Sequence, residues 1–147
     1  MIALQSSLPM ILNRTLDGVM PVYRELFAAY DLTEQQWRIL RALWEVDAMR
    51  SADLAAATLL PKPSLVGILD RLEARGLVHR QRQKDDRRNV SVACTAEGRK
   101  LADTVLPQAE AINAQIEQLL SQTEWKDLNA MLRKVTDGMG NATMRGS

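Results

Sequence analysis

The chain has 147 residues, 46% of them hydrophobic, and carries one more Lys or Arg than Asp or Glu. That suffices for one domain with a real core, or for a small domain plus dimerisation helices. One cysteine excludes an internal disulfide framework and a cysteine-built metal cluster. Without an apolar run of about 18 residues or a basic-then-apolar leader, the expectation is a soluble, cytoplasmic protein with no membrane partner.

Charge is unevenly placed. Residues 60–100 hold ten Lys/Arg against five Asp/Glu, residues 1–59 five against seven, and residues 101–147 four against six. The middle is therefore +5 and each flank −2, the asymmetry that a phosphate-facing surface needs. A charge run alone also fits a solvated loop, so the assignment turns on the elements that carry it.

In chain order, Leu4–Tyr30 reads as one long helix with a stripe of Leu8, Ile11, Leu12, Leu16, Val19, Tyr23, Leu26 and Phe27. Pro9 falls in its first turns, and Pro21 is expected to bend or divide it near Met20. After Asp31-Leu32, Thr33 and Gln36 form a capping-box pair that opens a helix to about Glu45, with Trp37, Leu40, Leu43 and Trp44 inward. The tryptophans keep the apolar phase, which favours core over a stacking platform. Ser51 reads as the cap of a short helix, Ala52–Thr58, and Leu59–Lys62 as a turn.

The next helix, Pro63–Arg75, buries Leu65, Ile68, Leu69 and Leu72 and turns Ser64, Gly67, Asp70, Arg71 and Arg75 outward. Pro63 suits its start and Gly76 the position past its end. Leu77–Gln83 and Val90–Cys94 read as strands, with the charged Lys84–Arg88 and Asn89 at the tip between them. Short helix, turn, helix with a small polar outer face, then basic hairpin is the order of a winged helix-turn-helix. Thr95 caps a helix from Ala96 to about Leu120 in which Pro107 is expected to introduce a kink. Ser121 and Glu124 form a second capping box, opening a last helix with Leu128, Met131, Leu132 and Val135 on one side. Gly138–Ser147, small and polar, is expected to be frayed.

The resulting fold class is mainly α with a small β-wing: a winged helix-turn-helix with amino- and carboxy-terminal dimerisation helices. Residues 1–32 would serve dimerisation and an effector pocket, 33–98 DNA binding, 99–137 dimerisation, and 138–147 a tail. Leu106, Ile112, Ile116, Leu119, Leu120, Leu128, Leu132 and Val135 project more apolar surface than a small winged helix can cover, so a twofold homodimer is expected.

The ordered set Leu32-Thr-Glu-Gln-Gln-Trp-Arg-Ile-Leu, Leu54-Ala, Leu69-Asp-Arg-Leu-Glu-Ala-Arg-Gly-Leu-Val, Asp86-Arg-Arg and Thr95-Ala-Glu-Gly resembles the MarR family of winged-helix repressors. The resemblance covers about residues 7–137. Ser7–Arg14 and Leu32–Arg38 look closest to its regulators of aromatic-acid catabolism, the homoprotocatechuate-operon type. Peroxide-sensing members carry a reactive cysteine on the first helix. Here the cysteine is Cys94, at the end of the returning strand, where an inert buried thiol is expected. His79 has no carboxylate or cysteine at ligand spacing, so it reads as structural or as a phosphate neighbour, and no metal or cofactor is expected.

The function expected is a dimeric, sequence-specific repressor on a pseudo-palindromic double-stranded operator, released by a small aromatic acid. The alternative is a winged helix that serves as a protein-interaction module. An enzyme is disfavoured because no phosphate loop, metal spacing or nucleophile–base pair is present. Lys62, Pro63, Ser64, Gly67 and Arg71 would face the major groove, with Lys62 or Ser64 donating to bases and Gly67 allowing close approach. Arg88 would enter the minor groove with its guanidinium held by Asp86, and Arg80, Arg82, Lys84 and Arg87 would contact phosphates. For the effector, Arg14 among Met10, Asn13 and Asp17 would clamp a carboxylate beside Trp37 and Arg38. The resemblance implies such an arginine, in the context Leu8-Pro-Met-Ile-Leu-Asn-Arg14. The competing reading is an exposed Arg14–Asp17 ion pair.

Overall fold

A computed structural model describes residues 1, 3–86 and 88–145, with side chains through 142 in the last helix. A 3-10 turn, Leu4–Ser6, leads to helix α1 (Leu8–Ala28), followed by α2 (Glu34–Trp44), strand β1 (Met49–Arg50), α3 (Ser51–Thr58), α4 (Lys62–Ala74), β2 (Val78–Arg82), β3 (Val90–Cys94), α5 (Ala96–Glu117) and α6 (Gln122–Arg145). The strands form one antiparallel sheet in the order β1-β3-β2, with Val78 opposite Cys94, Arg82 opposite Val90 and Met49 opposite Val92. The fold is therefore the mainly α winged helix that the sequence predicts.

The chain divides into two compact units, residues 1–110 and 111–147. In the first, Ile39, Leu40, Leu43, Leu54, Leu72, Val92, Ala102 and Val105 are wholly buried. Phe27 stacks on Trp37 at 5.5 Å between ring centroids, and Tyr23 on Phe27 at 6.0 Å. Both ring pairs are core contacts, so Trp37 is a packing residue. In the second unit Ile112, Ile116, Trp125 and Leu132 are half-buried. The capping box at its turn is complete: Ser121 N–H donates to Glu124 Oε2 at 2.7 Å and Glu124 N–H to Ser121 Oγ at 3.1 Å.

Three helices end by the same device. After α1, α3 and α4 the backbone turns left-handed at Asp31 (φ 53°), Leu59 (φ 57°) and Gly76 (φ 70°). In each, the next amide reaches back five residues: Leu32 to Phe27, Leu60 to Ala55 and Leu77 to Leu72. This satisfies carbonyls left free at a helix end. The leucine that follows is buried in all three cases, which anchors the turn. Such a leucine contributes about 1.5–3 kcal/mol by burial, more than the roughly 1–2 kcal/mol by which a left-handed backbone disfavours an ordinary residue.

Several expectations need correction. Pro21 does not divide its helix: it and Pro107 lie inside helices that continue on both sides of them, because one proline removes one bond and leaves the flanking turns intact. The first helix begins at Leu8, since Ser7 is extended (φ −72°, ψ 143°). Ser51 caps nothing: it is the first residue of α3, and its hydroxyl donates across to the Val90 carbonyl at 3.3 Å. The tail expected to fray from Gly138 instead continues α6 to Arg145. It contains no proline, and the roughly 1 kcal/mol disfavour of each glycine does not stop a helix already propagating. Strand β1, two residues long, has no period in the sequence to betray it.

Candidate nucleic-acid interface

Helix α4 is fixed from three sides. Its buried stripe, Leu65, Ile68, Leu69 and Leu72, faces the core. Arg75 at its end donates to the Asp31 and Tyr30 carbonyls at 2.5 and 3.3 Å. Arg80 on β2 grips Asp70 at 2.6 Å and Glu73 at 2.5 Å. A cleft of about 720 Å³ opens between α4 and the hairpin, lined by Lys62, Val66, Asp70, Glu73, Arg80, Arg82, Arg88 and Val90, and by Ser51 and Ala52 of α3.

The predicted DNA residues fall into groups. Lys62, Arg82 and Arg88 share the cleft. Pro63, Ser64, Gly67 and Arg71 are exposed on α4 without lining it. Gly67 meets nothing within 4 Å of where a Cβ would stand. Lys84 and Asp86 are exposed at the wing tip. Arg87 lies outside the described residues.

Two assigned roles change. Arg80 is only 27% exposed, and two of its three guanidinium nitrogens, Nε and Nη2, are occupied by carboxylates. Burial lowers its pKa, but the hydrogen bonds to Glu73 and Asp70 outweigh that and raise it. Its charge thus offsets two acids rather than standing free for phosphate. Asp86 does not hold the Arg88 guanidinium; its Oδ1 accepts from the Arg88 backbone N–H at 3.0 Å. The two-residue step from Asp86 to Arg88 suits a short turn within the tip, where Asn89 N–H also returns to the Asp86 carbonyl at 3.0 Å.

Val66 is the residue that the sequence reading missed. It is 57% exposed and lines the cleft. The available signal was its phase, the one large aliphatic residue of α4 off the buried stripe. Asp70 and Glu73 were also legible as an acidic i,i+3 pair on one face.

The effector residues are not brought together. Asn13, Arg14 and Asp17 are exposed on α1 and Met10 is half-buried, while Trp37 is 8% exposed against Phe27. Thirteen residues separate Arg14 from Phe27, about 20 Å of helix at 1.5 Å per residue. Arg38 is occupied by Glu34, with Nη2 at 2.9 Å from Oε2, and by the Thr58 carbonyl at 2.9 Å. A single slot in one chain that holds Arg14, Trp37 and Arg38 is therefore ruled out. Among the described residues Arg14 forms no ion pair, with Asp17 or otherwise.

Cys94 is half-buried, and burial pushes its thiol pKa up against a smaller lowering by Arg99. Among the described residues no cluster of His, Cys, Asp and Glu could hold a metal, and no single helix is long and apolar enough to cross a membrane.

Residues 32–90 match the MarR family. The regulator FarR of Neisseria gonorrhoeae is 35% identical over 85% of this chain and 88% of its own length. The chain belongs to the MarR family. The homoprotocatechuate degradative operon repressor of Escherichia coli is another relative, 34% identical over 95% of this chain and 93% of its own. Among solved structures, NadR in complex with 4-hydroxyphenylacetate superposes with a TM-score of 0.77 at 32% identity, covering 92% of this chain and 96% of that one. This MarR-family chain is accordingly a DNA-binding transcription regulator and not an enzyme.

Proposed function

We propose that this protein is a cytoplasmic homodimeric repressor that reads a pseudo-palindromic operator and leaves it on binding a small hydroxylated aromatic acid. The observation that carries the DNA half is the cleft in which Lys62, Arg82 and Arg88 stand beside the recognition helix α4. It supports α4 in the major groove, where Lys62, Pro63, Ser64, Gly67 and Arg71 face bases or nearby phosphates. It also supports the wing on the backbone, with Arg88 and Lys84 at its tip, Arg82 on its strand and Arg87 beside Arg88 in sequence.

The dimer is supported by apolar side chains left open in each unit. On α1 these are Leu8, Ile11, Leu12, Leu16 and Val22; in the second unit they are Leu119, Leu128, Met131 and Val135. Half-buried Leu106, Ile112 and Ile116 lie on α5 and Leu132 on α6. Faces of this size are normally covered, and a twofold pair covers both copies at once.

The effector class is supported by the identity to a homoprotocatechuate operon repressor and by NadR binding 4-hydroxyphenylacetate. Arg14 remains the candidate carboxylate clamp on α1, with Met10, Asn13 and Asp17 around it. Were it to share a slot with Trp37, it would come from the second copy. A ligand acts only if it favours the arrangement that cannot bind DNA. The test is release of a bound operator by 4-hydroxyphenylacetate, with Arg14→Ala alongside. Release by wild type and none by the variant at the same concentration supports the clamp; release by both removes Arg14 from the site.

A further inference from the structure

On the reading that α4 and the wing bind DNA, we infer that Arg80 is a positioning residue that masks Asp70 and Glu73 from the DNA backbone and locks the wing to the recognition helix. Asp70 and Glu73 sit one turn apart on α4 and line the same cleft as Lys62, Arg82 and Arg88. Two bare carboxylates there would repel the phosphates that the neighbouring cations attract. Arg80 meets both, its Nε on Glu73 Oε2 at 2.5 Å and its Nη2 on Asp70 Oδ1 at 2.6 Å.

The placement follows from the strand period. Val78, Arg80 and Arg82 alternate with His79 and Gln81 along β2, so Val78 enters the core while Arg80 and Arg82 turn to the cleft. Arg80 is 27% exposed on its side chain, while Arg82, one step further along that face, is exposed and forms no ion pair among the described residues. The two arginines thus divide the work: Arg82 has its charge free for phosphate, whereas Arg80 has Nε and Nη2 engaged by two acids. A planar fork bound at two points fixes the angle between helix and hairpin, which a single-point contact does not.

A double-mutant cycle separates this from a phosphate contact. Operator affinity is measured for the full-length protein with Arg80→Gln in two backgrounds, wild type and Asp70→Asn/Glu73→Gln. The inference predicts a loss of about tenfold or more in the first background, where the acids are unmasked, and under about threefold in the second. The slope of log affinity against log salt stays close to wild type on removing Arg80. An equal or larger loss in both backgrounds, with the slope reduced by about 0.9, would mean that Arg80 neutralises a phosphate itself and would overturn the inference. If Arg80→Gln melts below the assay temperature, Arg80→Lys is carried through the same cycle. A wild type without salt-dependent operator binding would instead refute the DNA reading, a result distinguishable from either outcome.

Discussion

A Cβ placed on Gly98 would lie 2.0 Å from the carbonyl oxygen of Leu77. The start of α5 is therefore pressed against the end of the recognition-helix turn, and Thr95 completes the junction. Its hydroxyl donates to the Gly76 carbonyl at 2.6 Å and accepts from Gly98 N–H at 3.0 Å. The Arg-Gly-Leu and Thr-Ala-Glu-Gly segments, separate in sequence, form one joint. Alanine is the better helix former by about 1 kcal/mol, but overpacking against backbone costs more, about 1–3 kcal/mol or above. Gly98→Ala should therefore lower stability in urea unfolding. Gly67→Ala, with open space around it, should raise stability by up to about 1 kcal/mol and weaken operator binding.

Leu59 is left-handed and 84% exposed, so its side chain contributes little beyond strain. Leu59→Gly should be neutral to stabilising, by up to about 1 kcal/mol, the relief of strain outweighing glycine's extra unfolded-state freedom. Leu60→Ala next to it should cost about 2–5 kcal/mol, because Leu60 is the buried anchor. Paired melts of the two variants check the opposite signs.

The capping boxes at Thr33 and Ser121 and the turn at Gly76 were legible because each is written in local residue types at fixed spacing. The breaks at Asp31 and Leu59 were legible too, but not their left-handed backbone, since the leucines that hold these turns gain their burial from distant elements. The same limit applies at the site. The charge run located the wing, but which cations were free could not be read from it. Arg80 differs from Arg82 only through carboxylates on another element, and Arg38 is claimed by the Thr58 carbonyl, twenty residues on. Arg14 and Trp37 looked close because adjacent helices were assumed to meet along their whole length.

Because Asp86 holds the wing tip through the Arg88 amide, an uncharged acceptor should serve as well. Asp86→Asn should bind operator within about threefold of wild type, and Asp86→Ala should lose more, in proportion to a hydrogen bond of about 1 kcal/mol or above. Equal losses for both would restore the charge-based role. Fluorescence anisotropy on a labelled operator is sufficient.

Burial raises the Cys94 thiol pKa, so the protonated form is favoured in the folded state. The stability this contributes is fully present below the unfolded thiol pKa and is lost as pH rises through the raised folded value. At neutral pH the thiol should react slowly with a disulfide reagent in the native protein and rapidly in denaturant. Fast native labelling, with loss of DNA binding, would point to a redox role instead.

The most direct test is selection of DNA by the full-length protein from random sequence, followed by binding titrations at several salt concentrations and sedimentation of the free protein. The account predicts a dimer, pseudo-palindromic sites with half-sites about one helical turn apart, roughly 34 Å, and affinity that falls steeply with salt. It also predicts that Lys84→Ala reduces the salt slope by about 0.9 while Arg88→Ala weakens binding strongly. A monomer at micromolar concentration, or no sequence enriched over bulk DNA, would contradict it.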